Sequence, residues 1–154
     1  MPETLTKSRF ILGISCPQKL VYRRDPSYRN LRNEDSFLKS LAEGGFQVGE
    51  FAKAHFPGGH DIETLNSGKA LAETNELLAQ DEVTIFEAAI RWKNCFIRVD
   101  VLEKKGPLLR IHEVKAKSFS STEEKPFQKR DGSILSYWQP YLYDVAFQKY
   151  VTQK

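Results

Sequence analysis

The chain has 154 residues, of which 40% are hydrophobic and 28% charged, and this globular composition excludes a fibrous or disordered protein. The length fits a single domain over residues 1–154, and the formal net charge of +3 is by itself too small to indicate a nucleic-acid binder. No stretch approaches the roughly 20 apolar residues of a membrane span, and the N-terminus has no apolar signal segment, so we expect neither export nor a membrane partner.

The first half of the chain predicts helices. Apolar residues at positions 5–14 have the spacing of a short helix that residues 13–17 interrupt. From Asn33, a good N-cap, apolar residues at near-helical spacing continue to the Pro-Gly-Gly breaker at residues 57–59. Gly44 and Gly45 leave open whether this second helix is continuous, bent or split.

The middle of the chain has a different composition. A short strand at residues 60–63 and a helix capped by Asn66 or Ser67 come first. β-branched and aromatic residues then dominate three runs with short turns between them, which predicts an antiparallel meander. The three runs are residues 83–90, 95–102 and 108–117.

A closing helix is predicted after a polar interval. Pro140 suits its first turn, and its apolar stripe consists of Leu142, Val145 and Ala146. Because helices precede and follow the meander, the sequence predicts an α/β (α+β) domain in which helices flank a central mixed sheet.

The first turn of the meander brings two carboxylates together. If Lys93 and Asn94 form a two-residue turn, Glu87 lies directly opposite Asp100 on the neighbouring strand. One face of the sheet then carries both side chains.

The second turn brings a further acid and a lysine to that face. If Glu103 pairs with Leu108, Asp100 lies diagonal to Glu113. Alternation along the strand places Glu113 and Lys115 on the same face as Asp100.

Carboxylates held this close repel one another unless a hard cation such as Mg²⁺ or Mn²⁺ binds their oxygens. Such an ion lowers the pKa of a bound water and neutralises a phosphate, and an adjacent lysine can orient that water, which together describe phosphodiester hydrolysis. The alternative is an ordinary solvent-exposed face with two cross-strand ion pairs, Glu87 with Arg98 and Asp100 with Lys115. Geometry from the sequence leaves these two interpretations about equally supported.

The Asp100 strand followed by Glu113-Val114-Lys115 resembles the signature of the PD-(D/E)XK nucleases, and the wider chain resembles their RecB-type branch. Closest in pattern is a bacterial family of uncharacterised proteins with a nuclease-like N-terminal region. The wider resemblance is carried by Ser8 with Cys16-Pro17-x-Lys19-Leu20, Gly45-x-x-Val48-Gly49-Glu50-x-Ala52, Phe56-Pro57-Gly58-Gly59, Ile85-Phe86-Glu87-Ala88 and Asp144-Val145-Ala146-Phe147-Gln148.

The resemblance implies a restriction-endonuclease-like core and a metal-dependent deoxyribonuclease. It assigns Mg²⁺ or Mn²⁺ to Asp100 and Glu113, the activation of water to Lys115, and contacts with DNA or the active site to Gln148. The further expected metal ligands are Glu87 and Glu50.

The chain also departs from the family pattern. Many relatives have a histidine ligand where this sequence has Gly49 or Glu50, and Thr152 stands where a tyrosine is usual. Cys16 occupies the place of one iron–sulfur ligand, but the three C-terminal cysteines of cluster-bearing relatives are missing, so no iron–sulfur cluster is expected. With Cys95 as the only other cysteine, the chain fits a reducing cytoplasm.

These departures leave two other hypotheses open. The chain would then be a catalytically inactive nuclease-like module that binds nucleic acid or a partner protein, or a structural domain that supports a separate catalytic region. Members of the family tend to be longer, so the resemblance also leaves open an additional domain.

Overall fold

The computed structural model describes residues 4–28, 35–118 and 126–153. Over these ranges it confirms the α+β class, with a central mixed sheet flanked by helices. None of the described helices is both long and apolar enough to cross a membrane. The elements in chain order are β1 (Leu5–Thr6), α1 (Lys7–Ser15), α2 (Gln18–Arg24), α3 (Ser36–Ala54), β2 (His60–Asp61), α4 (Ser67–Leu77), β3 (Glu82–Trp92), β4 (Cys95–Lys105), β5 (Leu108–His112) and α5 (Gln139–Thr152).

The chain enters the sheet before its first helix begins. Leu5 and Thr6 form β1 beside the start of β4, although the sequence predicted helix from residue 5. Thr6 is extended, and its side chain accepts a hydrogen bond from the backbone N–H of Arg9, which makes it the N-cap of α1. Lys7 is therefore the first helical residue and lies at the edge of the sheet.

Helix α3 runs without interruption through Gly44 and Gly45. Its N-cap is Asp35, whose carboxylate accepts hydrogen bonds from the backbone N–H groups of Phe37 and Leu38. Asn33, the predicted cap, lies outside the described residues.

The β3–β4 hairpin is the centre of the core, and its predicted register is confirmed. Trp92 pairs with Cys95 across the two-residue turn. Alternate β4 side chains are then buried, as a strand with one apolar face requires: Ile97, Val99 and Val101 are at most 1% exposed.

The register between β4 and β5 differs from the predicted one. Lys105 pairs with Leu108 and Glu103 with Arg110, so the predicted Glu103–Leu108 pair is wrong. Gly106 has φ +55°, and proline next to it fixes φ near −65°, a combination that suits a two-residue II′ turn over residues 106–107. The shift is two residues, so each side chain keeps its face.

This register changes how the two acids meet. Val101 pairs with His112 at the end of the ladder, and this register, continued by one residue, would set Asp100 opposite Glu113 rather than diagonal to it. Strand β5 ends at His112, so residues 113–117, predicted as strand, leave the ladder, and residues 113–118 have no regular structure.

Two strands share one edge of β4 and leave a gap between them. Strand β1 runs parallel beside Cys95 and Phe96, and β5 runs antiparallel beside residues 101–105. Asp100 lies at the gap. The chain leaves the sheet there twice, at Lys7 after β1 and at Glu113 after β5, so the topology delivers three charged residues to one place.

Helix α5 presents a different face to the core from the predicted one. Leu142 and Val145, two residues of the predicted stripe, are 50% and 37% exposed, whereas Phe147, Gln148 and Val151 are buried. Phe147 stacks on Phe10 of α1 with ring centroids 4.5 Å apart. Because a polar glutamine occupies the buried face, hydrophobic periodicity alone selects the wrong one.

Candidate functional site

Asp100 is anchored from both sides of the gap in the sheet. Its Oδ2 accepts a hydrogen bond of 2.8 Å from the backbone N–H of Val114, which ties the segment after β5 to β4. Its Oδ1 lies 3.5 Å from Nζ of Lys7, and the carboxylate is one quarter exposed. The side chain is thus held by the backbone on one oxygen and faces a cation with the other.

Glu113 is the most enclosed acid of the group, with only 5% of its side chain exposed. Its Oε2 accepts hydrogen bonds from Lys7 Nζ at 3.2 Å and from Gln148 Nε2 at 2.6 Å. Its Oε1 accepts one from Lys115. Three donors, Lys7, Lys115 and Gln148, therefore meet at the Glu113 carboxylate.

Lys7 is one of two residues of the cluster that were not predicted from the sequence. Its Nζ bridges Asp100 and Glu113, and its side chain is 21% exposed. Burial alone would lower the pKa of Lys7, but the charges of Asp100 and Glu113 outweigh burial and raise it. The two carboxylates therefore share the positive charge of Lys7, and Glu113 is also paired with Lys115.

Helix α5 contributes a second residue beside Gln148. Asp144 lies one turn earlier, its Oδ1 accepts from Gln148 Nε2 at 3.3 Å, and its Oδ2 is 3.8 Å from Nζ of Lys115. Gln148 is fully buried, and among the described residues its Oε1 has no hydrogen-bond donor. A buried acceptor without a donor costs about 1–3 kcal/mol, so Gln148 contributes less to stability than a fully hydrogen-bonded amide would.

The acids of the cluster are perturbed in opposite directions. Burial opposes ionisation of Glu113, but attraction to Lys7 and hydrogen bonds from Lys115 and Gln148 outweigh it and lower the pKa of Glu113. Burial, reinforced by the neighbouring Glu113 carboxylate, raises the pKa of Asp144 against the attraction of Lys7. Acids with divergent pKa values in one cluster are typical of functional sites.

Glu87, an expected metal ligand, does not join this cluster. It has φ +54°, and the ladder pairs its neighbours on both sides but not Glu87 with Asp100. Its carboxylate accepts from Arg98 Nε at 3.3 Å, and Arg98 also donates to the backbone carbonyls of Ile62 and Thr64. Of the two cross-strand ion pairs in the alternative interpretation, the Glu87–Arg98 pair is present, and Asp100 is paired with Lys7 instead of Lys115.

Glu50, the other further expected ligand, lies near the end of α3 and is 72% exposed along its side chain. It pairs with Lys53 at 2.8 Å, and Lys53 also contacts Asp61 on β2. Neither side chain contacts Asp100 or Glu113 in the described hydrogen bonds and ion pairs.

The residues present fit a magnesium-type ion bound by two carboxylates. Asp100 and Glu113 already converge on one cationic atom, Nζ of Lys7, at 3.5 and 3.2 Å. Mg²⁺ is commonly held by one or two carboxylates together with waters and substrate phosphates. Within the described ranges no three His, Cys, Asp or Glu side chains are placed to hold a metal ion together, which does not fit the larger ligand set with Glu87 and Glu50.

Compared with protein-family models, curated proteins and solved structures, this chain has no match. The resemblance to PD-(D/E)XK nucleases therefore stays a prediction from the sequence. The geometry of the cluster carries the functional argument.

Different signals could have pointed to the two missed residues. Asp144 precedes Gln148 by four residues, the spacing at which two side chains share a helix face. Lys7 had no comparable signal, because a two-residue strand such as β1 is too short to show alternation.

Proposed function

We propose that this chain is a divalent-metal-dependent nuclease that hydrolyses DNA phosphodiester bonds at Asp100, Glu113 and Lys115. One observation carries the proposal: the carboxylate of Asp100 on β4 and that of Glu113 directly after β5 converge on Nζ of Lys7, and Lys115 is hydrogen-bonded to Glu113. The resemblance of Asp100 and Glu-x-Lys to the PD-(D/E)XK signature supports the same reaction. A cytoplasmic location fits the two free cysteines.

In this proposal Asp100 and Glu113 would hold Mg²⁺ or Mn²⁺. The bound ion supplies Lewis acidity and lowers the pKa of a coordinated water. The backbone N–H of Val114 fixes the orientation of Asp100, and Gln148 does the same for Glu113. The hydrogen bond from Gln148 favours the ionised form of Glu113, which metal binding requires.

The two lysines have separate roles in the proposed reaction. Lys115, on the same segment as Glu113, would orient the attacking water and stabilise the negative charge that develops on the phosphate. Lys7 enters from the other side of the gap, where its charge would attract the DNA backbone toward the carboxylates.

A second candidate function is a nuclease-like module that binds nucleic acid or a partner protein without cleaving. One observation favours it: Lys7 bridges both carboxylates and so compensates their charge without a metal. In this case Lys7 would take the place of the ion rather than assist the reaction.

The test incubates the protein with single-stranded and with double-stranded DNA in the presence of Mn²⁺, beside the Lys115→Ala variant. The Lys39→Ala variant is the matched control, because Lys39 is an exposed lysine on α3. We expect cleavage by the wild type and the control and a loss of roughly 10²-fold or more in the Lys115→Ala variant. Equal cleavage by all three proteins contradicts the assignment of Lys115.

Thermal melting with and without Mn²⁺ separates the two candidate functions. A metal that binds only the folded state must raise the melting temperature, by an amount that corresponds to about 2.7 kcal/mol at one hundred times its dissociation constant. A nuclease predicts this rise. The module without catalysis predicts DNA binding with neither a rise nor cleavage.

A further inference from the structure

An aromatic cage surrounds Lys117, two residues beyond Lys115. The cage consists of the rings of Tyr137, Trp138 and Tyr141 at the start of α5. Nζ of Lys117 lies 4.5, 4.1 and 4.7 Å from the centroids of these three rings, respectively. All three distances are within the range in which a cation is attracted to the face of an aromatic ring.

The Lys117 side chain attaches the far end of the segment that carries Glu113 and Lys115. The ladder of β5 ends at His112, and residues 113–118 have no regular secondary structure. The backbone of this segment is held at its start by the hydrogen bond from Val114 N–H to Asp100. Its other end is held where the Lys117 side chain enters the cage.

The cage and the acid cluster lie on one stripe of α5. Tyr141, Asp144 and Gln148 are spaced by three and four residues, so they share a face of the helix. Asp144 lies near Lys115, and Gln148 donates to Glu113. Lys117, Lys115 and Glu113 therefore meet the same helix face in order, from Tyr141 at its start to Gln148 two turns further.

The cage is itself supported from behind. Phe127 packs edge-on against Trp138 with centroids 4.9 Å apart, and Tyr137 lies at 5.7 Å from the same ring. The backbone N–H of Trp138 donates to the carbonyl of Leu135, which fixes the backbone at the beginning of α5. The rings that bind the Lys117 ammonium group are thus held in place by other contacts.

We infer that Lys117 is a positioning residue: its ammonium group in the aromatic cage fixes the 113–118 segment against α5 and so holds Glu113 and Lys115 in register with Asp100 and Gln148. The inference rests on the proposed function for its catalytic consequence only. The positional consequence can be measured without any reaction.

The test measures amide hydrogen exchange at Val114, whose N–H reports the contact between the segment and Asp100. In the Lys117→Met variant, which keeps the length of the side chain and removes its charge, we expect this exchange to be about tenfold faster. The Lys117→Arg variant restores slow exchange, because arginine is also attracted to aromatic faces. The Lys39→Met variant, with the same charge change on α3, exchanges like the wild type.

A second variant changes the cage instead of the lysine, by removing one of its three rings. Tyr137 is 54% exposed, so Tyr137→Leu is expected to fold and to accelerate exchange at Val114 in the same direction. Unchanged exchange at Val114 in both the Lys117→Met and the Tyr137→Leu variants overturns the inference.

The cleavage assay adds a readout that distinguishes positioning from DNA binding. Loss of positioning lowers kcat about tenfold in the Lys117→Met variant and leaves KM for DNA unchanged. A rise in KM with unchanged kcat overturns the inference, because Lys117 would then act on the substrate directly. If the wild type cleaves no DNA, the proposed function fails, and the exchange measurement still decides the role of Lys117.

Discussion

Arg98 and Asp100 lie two residues apart on the same face of β4, yet their surroundings differ. Arg98 donates to Glu87 and to two backbone carbonyls, so its charge is matched by partners of fixed position. Asp100 belongs to a cluster with acids of divergent pKa, a bridging lysine and a buried amide oxygen without a donor. Charged residues on a sheet thus have a structural role where all of their hydrogen-bond and charge partners are present. Where some of these partners are missing, they indicate a functional site.

The largest expected difference between the two groups concerns metal binding. The Asp100→Asn variant should lose the Mn²⁺-induced rise in melting temperature, because it removes one of two carboxylates that would hold the ion. The Glu87→Gln variant should keep the whole rise. Thermal melts across a Mn²⁺ titration measure both, and a loss in the Glu87→Gln variant would move the metal site to the Arg98 group.

The next largest effect is on stability, and we expect it in the Arg98 group rather than in the Asp100 cluster. The Arg98→Met variant should lose about 2–3 kcal/mol of unfolding free energy, because it leaves two backbone carbonyls and Glu87 without their donor. Urea denaturation measures the loss, with Arg110→Met on the exposed strand β5 as control. An Arg98→Met variant as stable as the control would show that this group is not structural.

Glu113 and Asp144, two acids of the Asp100 cluster, should change the pH dependence of stability in opposite directions. The pKa of Glu113 is lowered on folding, so the ionised group stabilises the fold above its ordinary value of 4.5, and this contribution is lost as the pH falls through the folded pKa. The Glu113→Gln variant should therefore melt several degrees lower at neutral pH and approach the wild type in acid.

Asp144 should show the reverse. Its pKa is raised on folding, so the ionised carboxylate costs stability above the folded pKa, and the cost vanishes below the ordinary value of 3.8. The Asp144→Asn variant should melt higher than the wild type at neutral pH, with a gain that disappears in acid. Melting curves from neutral to acid pH measure both variants, and shifts of the same sign would contradict the opposite pKa directions.

The smallest expected effect is on stability at Gln148. The Gln148→Met variant loses hydrogen bonds to Glu113 and Asp144 but also removes an unsatisfied buried oxygen, so the unfolding free energy should change by less than about 1 kcal/mol. Denaturant unfolding measures the change. A loss as large as that expected for Arg98→Met would mean that Gln148 is a structural residue like Arg98.

Local chemistry made much of the fold predictable. The β3–β4 register follows from the two-residue turn, and Asn66 caps α4 as expected. Strand β2 lies within the strand predicted at residues 60–63. Strand β1 also has only two residues and so no period to detect, and its place beside β4 could not be assigned from sequence pattern. The buried face of α5 was missed because it contains Gln148, whose burial depends on acids far away in the sequence.

The candidate site was predictable to a similar extent. Alternation places Asp100, Glu113 and Lys115 on one face, and the structure brings them together. Lys7 reaches them through tertiary contact alone. Glu87 pairs with Arg98 instead. The strand pattern does not show with which of several charged neighbours a side chain will pair.

The II′ turn at Gly106 has a consequence for how this region tolerates insertions. Glu113 lies five residues beyond Leu108, about 17 Å along the chain. The length of the turn nevertheless determines to which side of the sheet the Glu113 side chain points. One added residue would point Glu113 to the opposite side of the sheet, whereas two would restore its side but slide it away from Asp100. A surface loop that looks suitable for grafting a tag is therefore expected not to tolerate insertions of one or two residues.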